Sequence, residues 1–523
     1  MSSAINSSGY SFANGGRIIS AFSNYILGED VDRLNRYKKN WRWYKGEHWD
    51  DRADRAARES NEDPLVTLNY ARRSANIQAM FLTKRGFDIT LPDEPGTAKD
   101  ESVERMFVKN LLDKTWRYNK KDLLCVTMGI MGSITGDVFI RVSWREKSIL
   151  APAHARLELL PSQWVFPEFT GETLDQSMSR CTVMWPTMEL REIKTLSAFR
   201  SAPRKKEALV IHREVWTDDT VTRYEDGVHK GTSVNPFGII PIVHIPNFPV
   251  PGEFFGASDL DDVIRINREM NEKSTDMSDV INYHGSPTTV ITGARANQLV
   301  RGANRIWSLP TGDAKNLEMK GDLAASHRYY ESLKTALYDV SGIPASAFGG
   351  TPPKPGTSGA ALALEFMPLL DSREVKSRVY GIGLQTINAL ILKVSELKDP
   401  AFAKDFLALP EEDRYITNIA WPPALPRDEA ITLGNIEKRM NMGLLDRTRA
   451  LKEQGHGEAD AARIIADVDD ERLREAIALL EASPNSTAST PPLPRSGNPD
   501  PQRPNPDAQG QSLSITKQLE EDS

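Results

Sequence analysis

The sequence predicts an α+β fold built from more than one structural unit, and three observations carry that expectation. Its 523 residues exceed what a single hydrophobic core usually serves. The first half mixes helix-period apolar stripes with short runs of period-two alternation, whereas from about residue 258 onward the helical period dominates. An apolar share of 39% beside 26% charged residues is that of a folded chain with a substantial core.

Residues 1 to about 28 are rich in Ser, Gly and Asn and read as loose. Val31, Leu34, Tyr37, Trp41 and Tyr44 then fall at helical spacing and predict an amphipathic helix ending near Gly46. Lys38, Lys39, Arg42 and Lys45 interleave with those aromatics, as a nucleic-acid patch would require. A packed helix with a solvated basic face explains the same spacing with fewer assumptions and is preferred.

Leu68 to Leu82 predicts a second helix, Phe87 to Leu91 a short strand, and Val103, Met106, Phe107 and Leu111 a third helix. Another apolar helix runs from Leu123 to about Met131. Strands are expected at Val138 to Val142, Leu157 to Leu160, Trp164 to Phe166, Ile211 to Trp216 and Val221 to Tyr224, with one more in the Pro- and Gly-bounded run Asn235 to Pro246.

Ser258 or Asp259 can cap a helix reaching Tyr283, about 26 residues or on the order of 39 Å. Its apolar positions Leu260, Val263, Met270, Met277 and Ile281 make a narrow stripe among Asp262, Asn267, Glu269, Asn271 and Asp276. So thin a face predicts packing against neighbouring copies rather than burial within one subunit. Strands at Pro287 to Thr292 and Arg305 to Leu309 would form a small insert, followed by a helix from Ala324 to Val340 with a matching stripe at Tyr329, Leu333, Leu337 and Val340. After a Gly/Pro loop, Thr357 or Ser358 caps a helix to about Leu397 with a kink predicted at Pro368. Helical patterns resume at Asp428 to Leu445, Asp446 to Gln454 and Glu458 to Ala482, and beyond Ser483 the aperiodic Pro, Ser, Asn and Gln composition predicts disorder.

The bulk chemistry excludes several classes. A net charge of -7 argues against wholesale electrostatic attachment to nucleic acid. Two cysteines, Cys125 and Cys181, exclude a disulfide framework and a cysteine-rich zinc site and fit a reducing compartment. No apolar run approaches the roughly 20 residues that cross a bilayer, and the amino terminus lacks signal-peptide character, so an unexported, soluble protein is expected.

Catalytic constellations are hard to find. In Gly350-Thr-Pro-Pro-Lys-Pro-Gly-Thr-Ser358, Lys354 lies between prolines that remove N–H donors, unlike a nucleotide-binding loop. The eight histidines show no metal-ligand spacing. Asp259, Asp261 and Asp262 could hold a divalent cation, but acids at a helix start are ordinary dipole partners, and that structural reading is preferred. No nucleophile elbow occurs, and the apolar setting of Cys125 would raise its pKa. No catalytic residue, metal site or cofactor is therefore expected.

Several stations, in order, resemble the portal proteins of tailed double-stranded DNA bacteriophages: Trp43-Tyr-Lys-Gly-Glu-His-Trp49, Gly136-Asp-Val-Phe-Ile-Arg-Val142, Asn235-Pro-Phe-Gly-Ile-Ile-Pro241 and Gly256-Ala-Ser-Asp-Leu-Asp-Asp262, then Ser341-Gly-Ile-Pro344, Thr357-Ser-Gly-Ala-Ala-Leu362 and Met442-Gly-Leu-Leu-Asp-Arg-Thr448. The likeness spans about residues 35 to 480. It implies a ring, usually of twelve copies, at one capsid vertex, with DNA entering and leaving through an axial channel. The implied partners are further copies of the chain, double-stranded DNA, the terminase large subunit, major capsid and scaffolding proteins and a head-tail adaptor, with no membrane; the implied location is the virion, after assembly in the host cytoplasm.

By segment the resemblance implies a flexible arm at 1–34, a wing at 35–257, stem helices at 258–283 and 324–341, a clip at 284–323, a channel loop at 342–358, a long kinked wing helix at 359–398, a helical crown at 399–482 and a disordered tail at 483–523. Thr351, Pro352, Pro353, Lys354, Pro355 and Thr357 are the expected DNA-facing loop residues. Asp262, Arg265, Arg268, Glu269, Asn271 and Lys273 are the expected stem contacts between copies or lumen residues; of these, the cations Arg265, Arg268 and Lys273 are placed at subunit contacts against Asp or Glu. A lining of carboxylates and amides suits a bore that must not hold a polyanion. Two other classes stay open: a nuclease or terminase-like enzyme, which would need clustered carboxylates or a nucleotide loop, and another ring-forming capsid or tail adaptor, which would not need the stem, clip and loop series.

Overall fold

The computed structural model describes residues 28–49, 65–91, 101–149, 151–170, 177–193, 204–285, 289–292, 313–316, 323–350, 359–411, 414–424, 429–454 and 458–482. Helices and strands mix as expected for α+β, and the chain divides into two compact units, Met1–Arg427 and Asp428–Ser523.

The first unit is organised by an antiparallel three-stranded sheet in the order β3-β2-β9, formed by β2 (Asp137–Arg145), β3 (His154–Leu160) and β9 (Ile242–Pro246). Val138, Ile140 and Val142 alternate toward one face, where Ile245 and Val243 of β9 join them. Against that face pack α3 (Glu101–Tyr118), α4 (Lys121–Thr135) and the long α8 (Met367–Lys398). Gly383 of α8 lies where a Cβ would come within 2.5 Å of Ile245, so a larger residue could not approach the strand as closely. At the far end of this core the indole N–H of Trp116 donates to Asn388 Oδ1 at 2.8 Å, which satisfies both buried polar groups.

The opposite face of β2 and β3 carries Phe139 and Leu160, and they meet an antiparallel five-stranded sheet of order β4-β5-β6-β7-β8. Its strands are β4 (Val165–Phe169), β5 (Met178–Ile193), β6 (Arg204–Trp216), β7 (Thr220–Glu225) and β8 (Val228–Val234). The sequence reading misses β5 and β8. Met178 to Ile193 breaks alternation with Pro186, and all but one residue of β8 is exposed, so neither carries a clean period. Asn235 to Pro246 is a strand only from Ile242, because Asn235 instead closes a turn by binding the Thr217 and Ile239 carbonyls.

α1 (Gly28–Lys45) buries Leu34 and Tyr37 of the expected stripe and, outside it, Trp43, while Val31, Trp41 and Tyr44 are half-buried. Arg33 is buried with them: it pairs with Asp30 at 2.6 Å, donates to the Val165 carbonyl and sits over the rings of Phe166 and Phe255. Beside α1 lies α2 (Tyr70–Thr83), followed by β1 (Asp88–Thr90), which pairs antiparallel with β12 (Asn418–Ala420).

Two helices leave the sheet region in sequence, α5 (Val263–Gly285) and α6 (Leu323–Ser341). Between them β10 (Thr289–Thr292) pairs antiparallel with β11 (Asp313–Asn316). The strand expected at Arg305 to Leu309 lies outside the described residues. The predicted kink is a break: α7 (Gly359–Glu365) ends before Phe366, and α8 begins at Met367 with Pro368 in its first turn, where a proline costs no hydrogen bond.

The compact division falls at 428, and α9 (Pro400–Phe406) buries Phe402 and Phe406 in the core of the first unit. The second unit comprises α10 (Glu429–Asn441), α11 (Arg447–Glu453) and α12 (Glu458–Ala482), with Ile436, Leu445 and Ala450 in its small core. Its predicted helices are all present.

Candidate functional site: the root of the long polar helix and the adjoining loop base

Two of the sequence stations, Gly136-Asp137 and Gly256 to Asp262, come together where α5 leaves the sheets. Helix α4 ends at Gly136, whose φ of +88° makes it a left-handed cap, and the carbonyls of its last turn need partners. They find them across the chain: Ser258 Oγ lies 2.8 Å from both the Ser133 and Ile134 carbonyls, the Asp259 amide donates to Ser133, and Asn40 Nδ2 donates to Ile134. The end of one helix is thus capped by the segment that begins another.

Two carboxylates complete the junction, Asp137 fully buried and Asp259 partly so. Asp137 accepts from Tyr37 Oη at 2.5 Å, His244 Nε2 at 2.8 Å and the Gly256 amide at 2.9 Å, with the Arg36 guanidinium 3.5 Å away. Burial and this carboxylate push the Tyr37 phenol far above its ordinary pKa, so it stays a donor. Asp259 receives Lys376 Nζ from α8 at 2.6 and 2.7 Å, Ser133 Oγ at 2.5 Å and Asn247 Nδ2 at 3.2 Å. Asp261 accepts from the Ser258 amide and from Asn40. Asp259 and Asp261 are committed to holding the root of α5. Among the described residues no group of His, Cys, Asp and Glu is arranged to hold a metal ion.

The α5 face turned toward α2 corrects the expectation of a thin stripe covered only by other copies. Val263, Ile264 and Met270 are buried within the subunit together with Asn267, Asn271 and Thr275, and the apolar members share a core with Ala71 and Ala75 of α2 and Leu337 of α6. Thr275 Oγ1 accepts the Val66 amide, Asn271 Oδ1 the Leu68 amide and Asn267 Oδ1 the Ala71 amide, at 3.2, 2.9 and 3.0 Å. Asn267 Nδ2 returns a bond to the Leu68 carbonyl at 2.8 Å. For the first two rungs the match is geometric: positions four apart on a helix advance about 6 Å, and the alternate amides of Val66 and Leu68 about 6.6 Å, while the third amide, Ala71, lies in the first turn of α2. α5 therefore serves segment 65–69 much as a neighbouring strand would.

Asn271, expected at a copy contact or the lumen, is thus an internal ladder residue. Buried amides paired with backbone explain why its polarity gave the wrong expectation. Asp262, Arg265 and Arg268 are exposed, whereas Glu269 and Lys273 are half-buried. Arg268 pairs with Glu272 at 2.9 Å, and Lys273 pairs with Asp276 at 3.2 Å and approaches Glu269 at 3.9 Å. Asp276, by its hydrogen bond first, raises the Lys273 pKa.

The loop between α6 and α7 starts from a fixed base. Ile343 is buried, Phe348 packs between Tyr70 and Tyr338 with centroids 6.2 and 5.1 Å away, and Gln78 Nε2 holds the Ser341 carbonyl at 3.0 Å. Arg73 reaches the Ala347 carbonyl at 3.4 Å. Thr351, Pro352, Pro353, Lys354, Pro355 and Thr357 lie outside the described residues. Sequence reading singled out the acidic run at 259–262 but missed Lys376, Asn267, Thr275 and His48. The i, i+4, i+8 spacing of Asn267, Asn271 and Thr275 on the apolar side of α5 was the available signal; Lys376 gave none.

Both cysteines are buried thiols, with Cys125 and Cys181 each pushed up to about 12 chiefly by burial, as an inert side chain requires. Among the described residues no helix is long and apolar enough to cross a membrane.

A family model described as phage portal protein, SPP1 Gp6-like, matches residues 23–455. A chain from the virion of a native gene transfer agent particle is similar in structure at 13% sequence identity and a TM-score of 0.37, over 78% of this chain and 95% of the other. No curated protein matches.

Proposed function

We propose a function from one premise: the chain belongs to the SPP1 Gp6-like family of phage portal proteins. It is a structural component of the capsid that works as an assembly of copies. The further reading is a ring of twelve at one vertex, whose bore passes double-stranded DNA during packaging and ejection. In that reading the terminase large subunit docks first and supplies the ATP-driven motor, a head-tail adaptor replaces it, and major capsid and scaffolding proteins surround the ring. The subunit itself performs no catalysis.

The observation that carries this reading is the family match across residues 23–455. The chain's own geometry supports it: α5 and α6 pack side by side, flank a small β-hairpin, and run into a loop whose base is pinned by Phe348 and Gln78. On this basis 258–283 and 324–341 are assigned as stem, 284–323 as clip, 342–358 as channel loop and 399–482 as crown, with 35–257 and 359–398 as wing. Electron microscopy of the purified protein is the test; flanged rings with an open centre are expected, and monomers at every concentration would refute the reading.

Two residue assignments follow. Arg265 and Arg268, exposed on α5, are proposed to face carboxylates of the next copy. Arg268→Glu is expected to abolish rings while leaving the subunit folded, and normal rings from that variant would reject the contact. Lys354, the single cation among the proline-rich loop residues 351–358, is proposed to meet DNA phosphates during translocation. Lys354→Ala should change packaging yield in a reconstituted head; unchanged packaging removes the role.

A further inference from the structure

The ladder on α5 ends on a histidine. His48 Nε2 lies 3.0 Å from the Trp43 carbonyl, and a carbonyl only accepts, so Nε2 carries hydrogen. Its other nitrogen, Nδ1, is 2.7 Å from Asn271 Nδ2. Asn271 cannot turn over to present its oxygen, because Oδ1 already accepts the Leu68 amide. Nδ1 must therefore accept, and the neutral ring with hydrogen on Nε2 satisfies every partner. An imidazolium would put an N–H against the N–H of Asn271.

We propose that His48 is an acid-operated latch: neutral, it holds the Asn271 amide in register with segment 65–69, and protonated, it drives that amide away and frees the rung at Leu68. The latch matters because Asn271, Asn267 and Thr275 together tie α5 to the chain entering α2, and α2 carries Tyr70, Arg73 and Gln78, which hold the base of the loop.

The surroundings leave the proton little reward. His48 is buried and stacks on Trp43 with ring centroids 4.1 Å apart. Segment 65–69 contributes no ionisable side chain, and α5 offers Asn267, Asn271 and Thr275 on this side. The charges flanking Asn271 along α5, Arg268 and Glu272, bind each other. From α1 the ring meets the Trp43 carbonyl, and Glu47 is its ionisable neighbour in the chain. Burial holds the imidazole below its ordinary pKa of 6.5, with the Trp43 carbonyl opposing more weakly. A folded-state pKa below the unfolded value means that the latch contributes fully above the ordinary range and is lost as pH falls through the depressed folded value.

Hydrogen exchange of the assembled protein, read at residues 65–71 and corrected for the intrinsic pH dependence of exchange, tests the latch. In the wild type, protection should fall by up to about tenfold for each pH unit between the ordinary imidazole pKa and the lower folded value, and level off below it. His48→Phe keeps the stack but cannot titrate, so its protection should be low and free of that step. Asn271→Asp keeps an oxygen for Leu68 and turns the other toward Nδ1, where it now welcomes a proton; its protection should hold or rise over the same acid range. A flat wild-type profile overturns the proposal, as does an acid step that survives in His48→Phe or keeps its sign in Asn271→Asp. If Asn271→Asp does not fold, the wild type against His48→Phe decides alone. The measurement does not require the ring to carry DNA, so failure here leaves the portal reading standing.

Discussion

Lys376→Met is expected to destabilise the first unit by about 3–5 kcal/mol, measured as a shift of the denaturant midpoint at unchanged slope. Lys376 is 2% exposed and its ammonium lies 2.6 and 2.7 Å from the two oxygens of Asp259. Removing the cation strands a carboxylate that burial keeps from water, and the penalty is that of the unpaired charge rather than the net worth of the pair. Arg378→Met is the control, since Arg378 and Glu374 are exposed on the same helix and such pairs contribute little. Adding Asp259→Asn to Lys376→Met should recover part of the loss, though not all, because Ser133 and Asn247 also use the carboxylate. A loss below about 1 kcal/mol in the single variant would mean that α8 and the root of α5 are not joined through this pair.

The contrast between Lys376 and its neighbours shows what sequence could reveal. Helix α8 was legible, because Leu384, Ile387, Ile391 and Val394 repeat at helical spacing, whereas Pro368 predicted a kink where the helix in fact breaks at Phe366. Lys376 was not, since a lysine between Val375 and Ser377 has the same local pattern whether it meets water or Asp259. α5 failed more instructively. Of its apolar stripe Leu260, Val263 and Met270 are buried and Ile281 is exposed, and Asn267 and Asn271 are buried although amides are mostly exposed. They are buried because extended segment 65–69 brings bare backbone groups to them, and no periodicity within α5 encodes the position of a segment some 200 residues earlier in the chain. The acidic run Asp259, Asp261 and Asp262 was assigned a structural role on dipole grounds. Asp259 and Asp261 take that role through Lys376, Ser258 and Asn40, whereas Asp262 is exposed.

Side chains decide less at the centre of the junction, where Gly256→Ala is expected to cost about 3–5 kcal/mol and to lower soluble yield. A Cβ there would stand 2.4 Å from the Gly136 carbonyl oxygen and 2.8 Å from the Asn247 nitrogen. Both are backbone atoms that cannot yield separately, because the Asn247 amide donates to that same carbonyl at 2.7 Å. Backing away would also pull the Gly256 amide from Asp137, loosening the carboxylate that Tyr37 and His244 share. Gly252→Ala separates crowding from backbone strain: its φ is +84° but nothing lies within 4 Å of the added carbon, so it should cost only about 1 kcal/mol. Equal losses in the two variants, read by thermal unfolding, would show that crowding at Gly256 is relieved by local movement. Unequal losses in the expected order would mean that the glycines of Gly136-Asp137 and Gly256 to Asp262 exist to let two main chains touch, and that the direction in which α5 leaves the sheets is set by that contact.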